Sequence, residues 1–499
     1  MLPIRNIQGL SRCWFLVRLK VTIFFHFLPC LFSKGSGAGL APATGSGAGV
    51  PPAPGAGLSP ATGAKAGRAG VPPATGAGLA PATGASRPRI QGRRDACPTT
   101  PLPHLSPRRF LLFLRRLLLF LSKLGHNKFV RIGSDTRLDL YVPSFPREAF
   151  YLACRKFLAF DEPLPCATVL LSVTSGCRFS CPHCYQRMDR GKDMPLEVLV
   201  SIVRELQERG IAFFNVEGGE PFLVYERLRQ VCAAIDGRSE VWVNSTGDGM
   251  TLERLQELKG LNLTAVMFSL HTAEPARLNA FMQSDKAWEA LQRGVELCHA
   301  AGVAVSFNTC LGREGFYDGE FERIMERARE FRACLVQLIK PKPAGAWLES
   351  GPAPSSRADL DRVVELVQRY NHGRAYAAYP AICAQVLDED RACFGCTAGG
   401  TDRFYINAKG DVQPCEFLNL SFGNIVEEDF AAIYARMRRA FSPPGETWLC
   451  EACTPKIREL FLGRGLRSLP LSKELSEQIY SQWDRGRPTR LYADMGKLK

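Results

Sequence analysis

Acidic side chains are almost missing from the first 130 positions, where Asp95 stands alone against 17 Lys and Arg. The whole chain of 499 residues carries 63 Lys and Arg and 49 Asp and Glu, a net charge of +14. The excess therefore sits in that first quarter, and the other 369 residues, with 46 basic and 48 acidic side chains, are close to neutral. This excludes duplex nucleic acid as a partner of the folded part, because such binding is driven by phosphate neutralisation from a basic face.

Long unbroken apolar runs are also lacking. Residues 13–32 are interrupted by Arg18, Lys20, His26 and Pro29, and the stretch from Phe110 to Leu124 is split by Arg115 and Arg116. Neither supplies the roughly 20 apolar residues of a membrane span. The first reads as a weak span or a signal-like segment, and the second could lie on an anionic membrane surface. Between them, Gly35–Gly84 repeats Gly-Ala-Gly-Leu-Ala-Pro-Ala-Thr-Gly variants with no aromatic or acidic residue and no Gly-X-Y period. Such a tract cannot bury enough apolar surface to offset its ordering entropy. The plainer expectation makes residues 1–127 a basic, disordered extension without a role of its own, and residues 128–164 a lead-in to the folded chain.

What the chain does have is cysteine, 18 in all, and clustered. Cys177, Cys181 and Cys184 form one group, and Cys393, Cys396, Cys415, Cys450 and Cys453 another. Tight clusters in a large chain of mixed charge read as metal or cluster ligands kept reduced in a cytosol rather than as disulfides. The single cysteines, such as Cys154, Cys232, Cys298 and Cys310, read as small buried hydrophobes.

From Ala167 onward, six strand-length apolar runs alternate with helical patterns: Ala167–Val173, Ile211–Val216, Glu240–Asn244, Thr264–Leu270, Val303–Thr309 and Leu335–Lys340. Pro195–Arg209, with Leu196, Leu199, Val203 and Leu206 on one face, is the first such helix. Repeated strand–helix units predict an α/β fold with a parallel sheet, doubly wound or curled towards a barrel, and chemistry at the C-terminal strand ends. The expected core spans 165–340 and a Pro/Gly linker 341–358. A smaller α+β, Cys-rich domain over 359–460 is to contain a helix from Arg357 to Tyr370, a hairpin of Arg403–Ile406 and Val412–Pro414, and a helix near Glu427–Arg439, followed by a tail over 461–499.

The first cysteine group is a Cys-x3-Cys-x2-Cys loop, Cys177-Arg-Phe-Ser-Cys181-Pro-His-Cys184-Tyr185, directly after the first strand. Three thiolates so spaced can ligate three corners of a 4Fe-4S cube and leave the fourth iron open to a ligand. The alternative is zinc, with His183 or a distant Cys as fourth ligand. The loop resembles the signature of the radical S-adenosylmethionine superfamily, Tyr185 included. Gly218-Gly219-Glu220-Pro221, at the end of the second strand, is similar to that family's Gly-Gly-Glu-Pro motif. Two glycines would let backbone approach a ligand closely, and Glu220 could accept from an ammonium. Phe268-Ser269-Leu270-His271 resembles the family's Ser-Leu-Asp segment, with His271 in place of Asp.

The resemblance implies a partial (β/α)6 barrel that binds a 4Fe-4S cluster through Cys177, Cys181 and Cys184. It places S-adenosylmethionine near Tyr185, Gly218, Gly219, Glu220, Ser269 and Asn308, with Asn244, Ser245, Thr246 and His271 as further strand-end polar groups. Cys393 to Cys453 resemble the auxiliary-cluster extension called SPASM, or its shorter twitch form. One auxiliary 4Fe-4S cluster is expected, on Cys396, Cys415, Cys450 and Cys453 in the first instance, with Cys393 as a substitute and Cys383 a sixth cysteine of the region; a zinc ribbon is the rival.

The implied activity is reductive cleavage of S-adenosylmethionine to a 5′-deoxyadenosyl radical that abstracts hydrogen from a substrate. A peptide or protein side chain is the leading expectation for that substrate and small-molecule cofactor synthesis the second, with flavodoxin or ferredoxin as electron donor and a cytoplasmic location. No leader-peptide module is recognisable in residues 128–165, which weighs against the peptide reading. Outside enzymology, the alternatives are an iron–sulfur electron-transfer or zinc-binding scaffold and a membrane-surface adaptor working through the basic arm.

Overall fold

Strand positions follow the apolar runs closely. A computed structural model describes residues 6–7, 10–28, 105–158, 166–351, 355–441 and 444–497. The predicted strands appear as β1 (Thr168–Ser172), β2 (Phe213–Glu217), β3 (Glu240–Ser245), β4 (Leu263–Ser269), β5 (Ala304–Cys310) and β6 (Leu335–Ile339). Each pairs in parallel with the next, in sequence order. The predicted first helix is α1 (Leu196–Glu208), whose buried Leu199, Ile202, Val203 and Leu206 repeat at helical spacing. Each such side chain contributes roughly 1.5–3 kcal/mol by burial. The other crossovers carry α2 (Tyr225–Ala234), α3 (Leu252–Gly260), α4 (Pro275–Met282), α5 (Ala287–Ala301) and α6 (Glu320–Glu330).

The sheet does not stop at β6. The Cys-rich segment adds a strand at either end: β7 (Ala381–Ala384) runs parallel to β6, and β8 (Arg403–Ile406) runs parallel to β1. The antiparallel β9 (Val412–Gln413) completes the expected hairpin and a nine-stranded sheet, ordered β7-β6-β5-β4-β3-β2-β1-β8-β9. The expected helices lie at Arg357–His372 and Phe430–Phe441. The strand β7, four residues long and followed at once by a helical turn, has too short a run to be read from sequence.

Alternation along the strands sets the interior. On β2, Phe214 and Val216 pack into the large cluster shared with the helices. Phe213 instead joins Trp242, Ala265, Met267 and Leu335 in a separate cluster on the other face. That inner cluster is closed at the N-terminal end of the strands by an antiparallel sheet of Asn6–Ile7, Phe129–Ile132 and Asp135–Arg137. Arg137 is buried there, 2.7 Å from Glu240 and over the Trp242 ring, so neither charge is left unpaired. Two residues further up each inner stripe the side chains turn polar, with Glu217, Asn244, Ser269 and Asn308 at the C-terminal ends.

The expectation of a folded chain beginning at residue 128 needs correcting. Helices Leu10–Phe27 and Pro107–Lys123 pack against each other and the body through Leu19, Ile23 and Phe27 and through Phe110, Phe113, Leu117 and Leu121, all buried. The interrupting arginines that argued against a span do not break helical spacing. The repeat tract Gly35–Gly84 lies outside the described residues. Among the described residues no helix is long and apolar enough to cross a membrane.

Candidate functional site

The Cys177–Cys184 loop leaves β1 and is fixed by backbone contacts at three places. Ser175 donates from its N–H and its hydroxyl to Asp193 (3.0 and 3.1 Å). Ser180 donates to the Met282 carbonyl and Ala346 to the Cys184 carbonyl. The third place is the Gly218-Gly219 pair at the end of β2. A Cβ on Gly219 would lie 2.1 Å from the Gly176 carbonyl oxygen, and one on Gly218, at φ +157°, 2.5 Å from that of Thr174. Gly219 donates to Thr174 (2.7 Å) and Glu220 to Gly176 (2.8 Å). The glycines are thus required by backbone of the cysteine loop rather than by a ligand alone, although both also line the cavity beneath it.

Glu220 departs further from expectation. It is fully buried and accepts from the Ser245 hydroxyl (2.8 Å), the Thr246 hydroxyl and N–H (2.6 Å each) and the Phe222 N–H (3.1 Å). Its oxygens are occupied in shaping the turn after β3, and it is not among the residues that line the cavity. Burial pushes its carboxyl up to about 7.

A cavity of about 510 Å³ opens at the C-terminal ends of β2–β6. Its wall includes Cys177, Cys181, Cys184, Tyr185, Ser269 and Asn308 together with Glu217, Asn244 and His271. The expected residues are therefore brought together, Glu220 excepted. Four buried polar atoms of this wall have no partner among the described residues: Asn244 Oδ1, Asn308 Oδ1, His271 Nε2 and His183 Nδ1. Unpaired groups of this kind cost about 1–3 kcal/mol each unless a ligand satisfies them, so the wall fits a polar ligand beside the three thiols. The His183 ring stacks on Phe281 and meets His271 edge-on, and burial pushes it down to about 4, which keeps both imidazoles neutral.

Glu217 escaped the sequence reading, because a strand-end Glu has no spacing signal. It accepts from the Tyr185 hydroxyl (2.5 Å) and the Asn244 amide (2.9 Å), and burial raises its carboxyl to about 8. Tyr185 is thereby held edge-on to Tyr405 and Phe417, which tie the loop to β8 and its neighbour segment.

Of the C-terminal cysteines, Cys396 is within electrostatic reach of Cys450 and Cys453, and Cys450 of Cys415. Cys393 instead faces Asp388 and Lys123, and Cys383 faces Asp139 and Asp388. The first-choice four are grouped, and the substitute Cys393 and the sixth cysteine Cys383 have other neighbours. Buried Arg403 stands beside Cys415 and buried Lys342 beside Cys450. Lys342 also reaches Glu451 (3.1 Å), sits over the Trp448 ring (3.5 Å) and lines the main cavity. Sequence gave no signal for it, since it lies in the Pro-rich segment read as a linker. Among the described residues no three His, Cys, Asp or Glu side chains are grouped tightly enough to hold a single metal ion. A four-iron cube spreads its sulfur ligands more widely.

Comparison with known proteins matches residues 171–328 to the Radical SAM superfamily and residues 396–454 to an iron-sulfur cluster-binding domain, SPASM. The chain is similar to the AdoMet-dependent heme synthase of Nitratidesulfovibrio vulgaris, 22% identical over 55% of this chain and 80% of the relative. It is also similar to the PqqA peptide cyclase of Streptomyces rochei, 25% identical over 58% and 80%. A probable GTP 3′,8-cyclase of Methanosarcina mazei is 24% identical over 49% and 76%. Among solved structures, Streptococcus suis SuiB bound to S-adenosylmethionine aligns at a TM-score of 0.48, with 15% identity over 60% of this chain and 73% of that one.

Proposed function

We propose, from the match of residues 171–328 to the Radical SAM superfamily and of 396–454 to the SPASM domain, that this chain is a radical SAM enzyme using a 4Fe-4S cluster and S-adenosylmethionine, and we assign the residues that hold these groups and what they act on. Cys177, Cys181 and Cys184, which line the cavity, would hold the cluster through three thiolates and supply no fourth ligand. When bound, the pair supplies a 5′-deoxyadenosyl radical that removes hydrogen from the substrate. The chain's own part is to bind, orient and exclude water. Gly218 and Gly219 keep the cysteine loop close to β2, so that the three thiols share one cavity with Asn244, Ser269 and Asn308, which would contact a ligand bound there. Glu220 holds the turn after β3 rather than the ligand. Tyr185, fixed by Glu217, closes the side towards β8. Cys396, Cys415, Cys450 and Cys453 hold one auxiliary 4Fe-4S cluster.

The observation that carries this reading is the set of unpaired buried atoms, Asn244 Oδ1, Asn308 Oδ1 and His271 Nε2, in one wall with the three thiols. A peptide or protein side chain is the proposed substrate, supported by the similarity to a PqqA peptide cyclase. Small-molecule cofactor synthesis is the second reading, supported by the similarity to a heme synthase and a probable GTP cyclase. A flavodoxin or ferredoxin as donor and a cytoplasmic site of action complete the proposal. The test is 5′-deoxyadenosine release by anaerobically reconstituted, dithionite-reduced protein beside the Cys177→Ala/Cys181→Ala/Cys184→Ala variant. Product from the wild type alone supports it; equal product from both contradicts the assignment of the three cysteines, and none from either with iron bound contradicts the enzyme reading and favours an electron-transfer scaffold.

A further inference from the structure

The two N-terminal helices, Leu10–Phe27 and Pro107–Lys123, are apolar on more sides than their packing uses. Their inner stripes are spent on one another and on the body: Phe27 meets Phe113 with ring centroids 4.7 Å apart, and Leu19 and Ile23 are buried. Yet their outward faces still present Val17, Val21, Phe24, Phe25, Leu111 and Leu118, which are six of the nine exposed large apolar side chains among the described residues. Phe25 and Leu111 are 63% and 65% exposed. On the first helix Val17, Val21 and Phe24 fall at i, i+4 and i+7, and on the second Leu111 and Leu118 at i and i+7, so each set is a stripe rather than a scatter.

The charges on these faces have one sign. Arg18 and Lys20 flank the first stripe and Arg115 the second, all exposed, and neither helix contains an acidic residue. A single-sign rim around an apolar stripe selects its occupant. A second copy of this chain on the same face would bring basic rim against basic rim, which opposes an isologous dimer. An anionic lipid surface satisfies both components at once, taking the apolar side chains into the acyl boundary while the Lys and Arg heads reach the phosphates. We propose that the helix pair Leu10–Phe27 and Pro107–Lys123 is a docking surface that lays this enzyme on an anionic membrane, in the plane of the interface and without crossing it. The expectation that the extension has no role of its own is replaced by this one, because the sequence alone could not show that the inner stripe was already used.

The test is flotation of the full-length protein, with its clusters reconstituted, on phosphatidylcholine–phosphatidylserine vesicles and on pure phosphatidylcholine vesicles. The bound fraction is expected to be high on the anionic vesicles, low on the neutral ones, and to fall with added salt. Phe25→Asp/Leu111→Asp is expected to weaken anionic-vesicle binding by at least about tenfold. The charge-only variant Arg18→Glu/Lys20→Glu, on exposed positions, does the same without touching the apolar stripe. Both should leave 5′-deoxyadenosine release in detergent-free buffer and the thermal midpoint unchanged. Absence of binding to anionic vesicles overturns the proposal, as does binding that neither variant reduces. A concentration-dependent dimer of the wild type that Phe25→Asp/Leu111→Asp dissolves overturns it in favour of a self-association face.

Discussion

The two cysteine groups differ in the cations beside them, exposed at one and buried at the other. Beside Cys181 and Cys184 stands Arg187, an exposed cation that favours their thiolates. Burial pushes the thiols of both groups up, Cys177 to about 11 and Cys181, Cys450 and Cys453 to about 12. Around Cys396, Cys415, Cys450 and Cys453 the cations are built in: Arg403 is buried and paired with Glu389, and Lys342 is buried and paired with Glu451. The difference teaches where each group's charge is to be balanced. The C-terminal set is enclosed by buried ion pairs that include two cations beside its thiols. The loop after β1 has little of its own and opens on a cavity with unsatisfied polar atoms, so balance there is left to what binds.

That contrast can be broken experimentally, beginning with the loop. Gly219→Ala forces a Cβ to 2.1 Å from the Gly176 carbonyl oxygen, a backbone atom that cannot step aside, and should cost about 2–4 kcal/mol in a chemical denaturation of the iron-free protein. Gly463→Ala, where nothing lies within 4 Å, is the control and should change little. On the C-terminal side, Lys342→Met removes a buried cation beside Cys450 and should lower the auxiliary-cluster potential by on the order of 50–100 mV in an EPR-monitored titration. The potential of the loop cluster should move much less.

Glu217 offers a pH signature. Its carboxyl is raised from 4.5 to about 8 in the folded state, so folding favours the protonated form. The stability this gives is fully present below pH 4.5 and is lost as pH rises through 8. Glu217→Gln keeps the shape without the titration, and its thermal midpoint should decline less than that of the wild type across that window. The smallest effect is expected from Ser269→Ala, a loss of about one hydrogen bond, which should raise KM for S-adenosylmethionine several-fold, about 1 kcal/mol, with little change in kcat.

Much of this architecture was legible in the residues, for identifiable reasons. The six core strands are short apolar runs between turn signals, and the cysteine loop announces itself by spacing. The alternation that points Glu217, Asn244, Ser269 and Asn308 inward is period two, but which face is inward depends on curvature that no single strand encodes. Glu217 was missed on that account. Glu220 was legible as important, but its contacts with Ser245 and Thr246, one strand over, were not. The N-terminal helices were hidden by arginines, which interrupt an apolar run without interrupting a helix. The strands β7 and β8 were read, or passed over, as parts of a separate region, since parallel pairing across more than 200 residues, as between β1 and β8, leaves no local mark.

The most direct test of the account is EPR spectroscopy of the reduced Cys396→Ala/Cys415→Ala/Cys450→Ala/Cys453→Ala variant, before and after addition of S-adenosylmethionine. The account predicts that a 4Fe-4S signal remains and changes when S-adenosylmethionine is added, because the cluster on Cys177, Cys181 and Cys184 keeps an open iron. A remaining signal that does not respond to S-adenosylmethionine would contradict it.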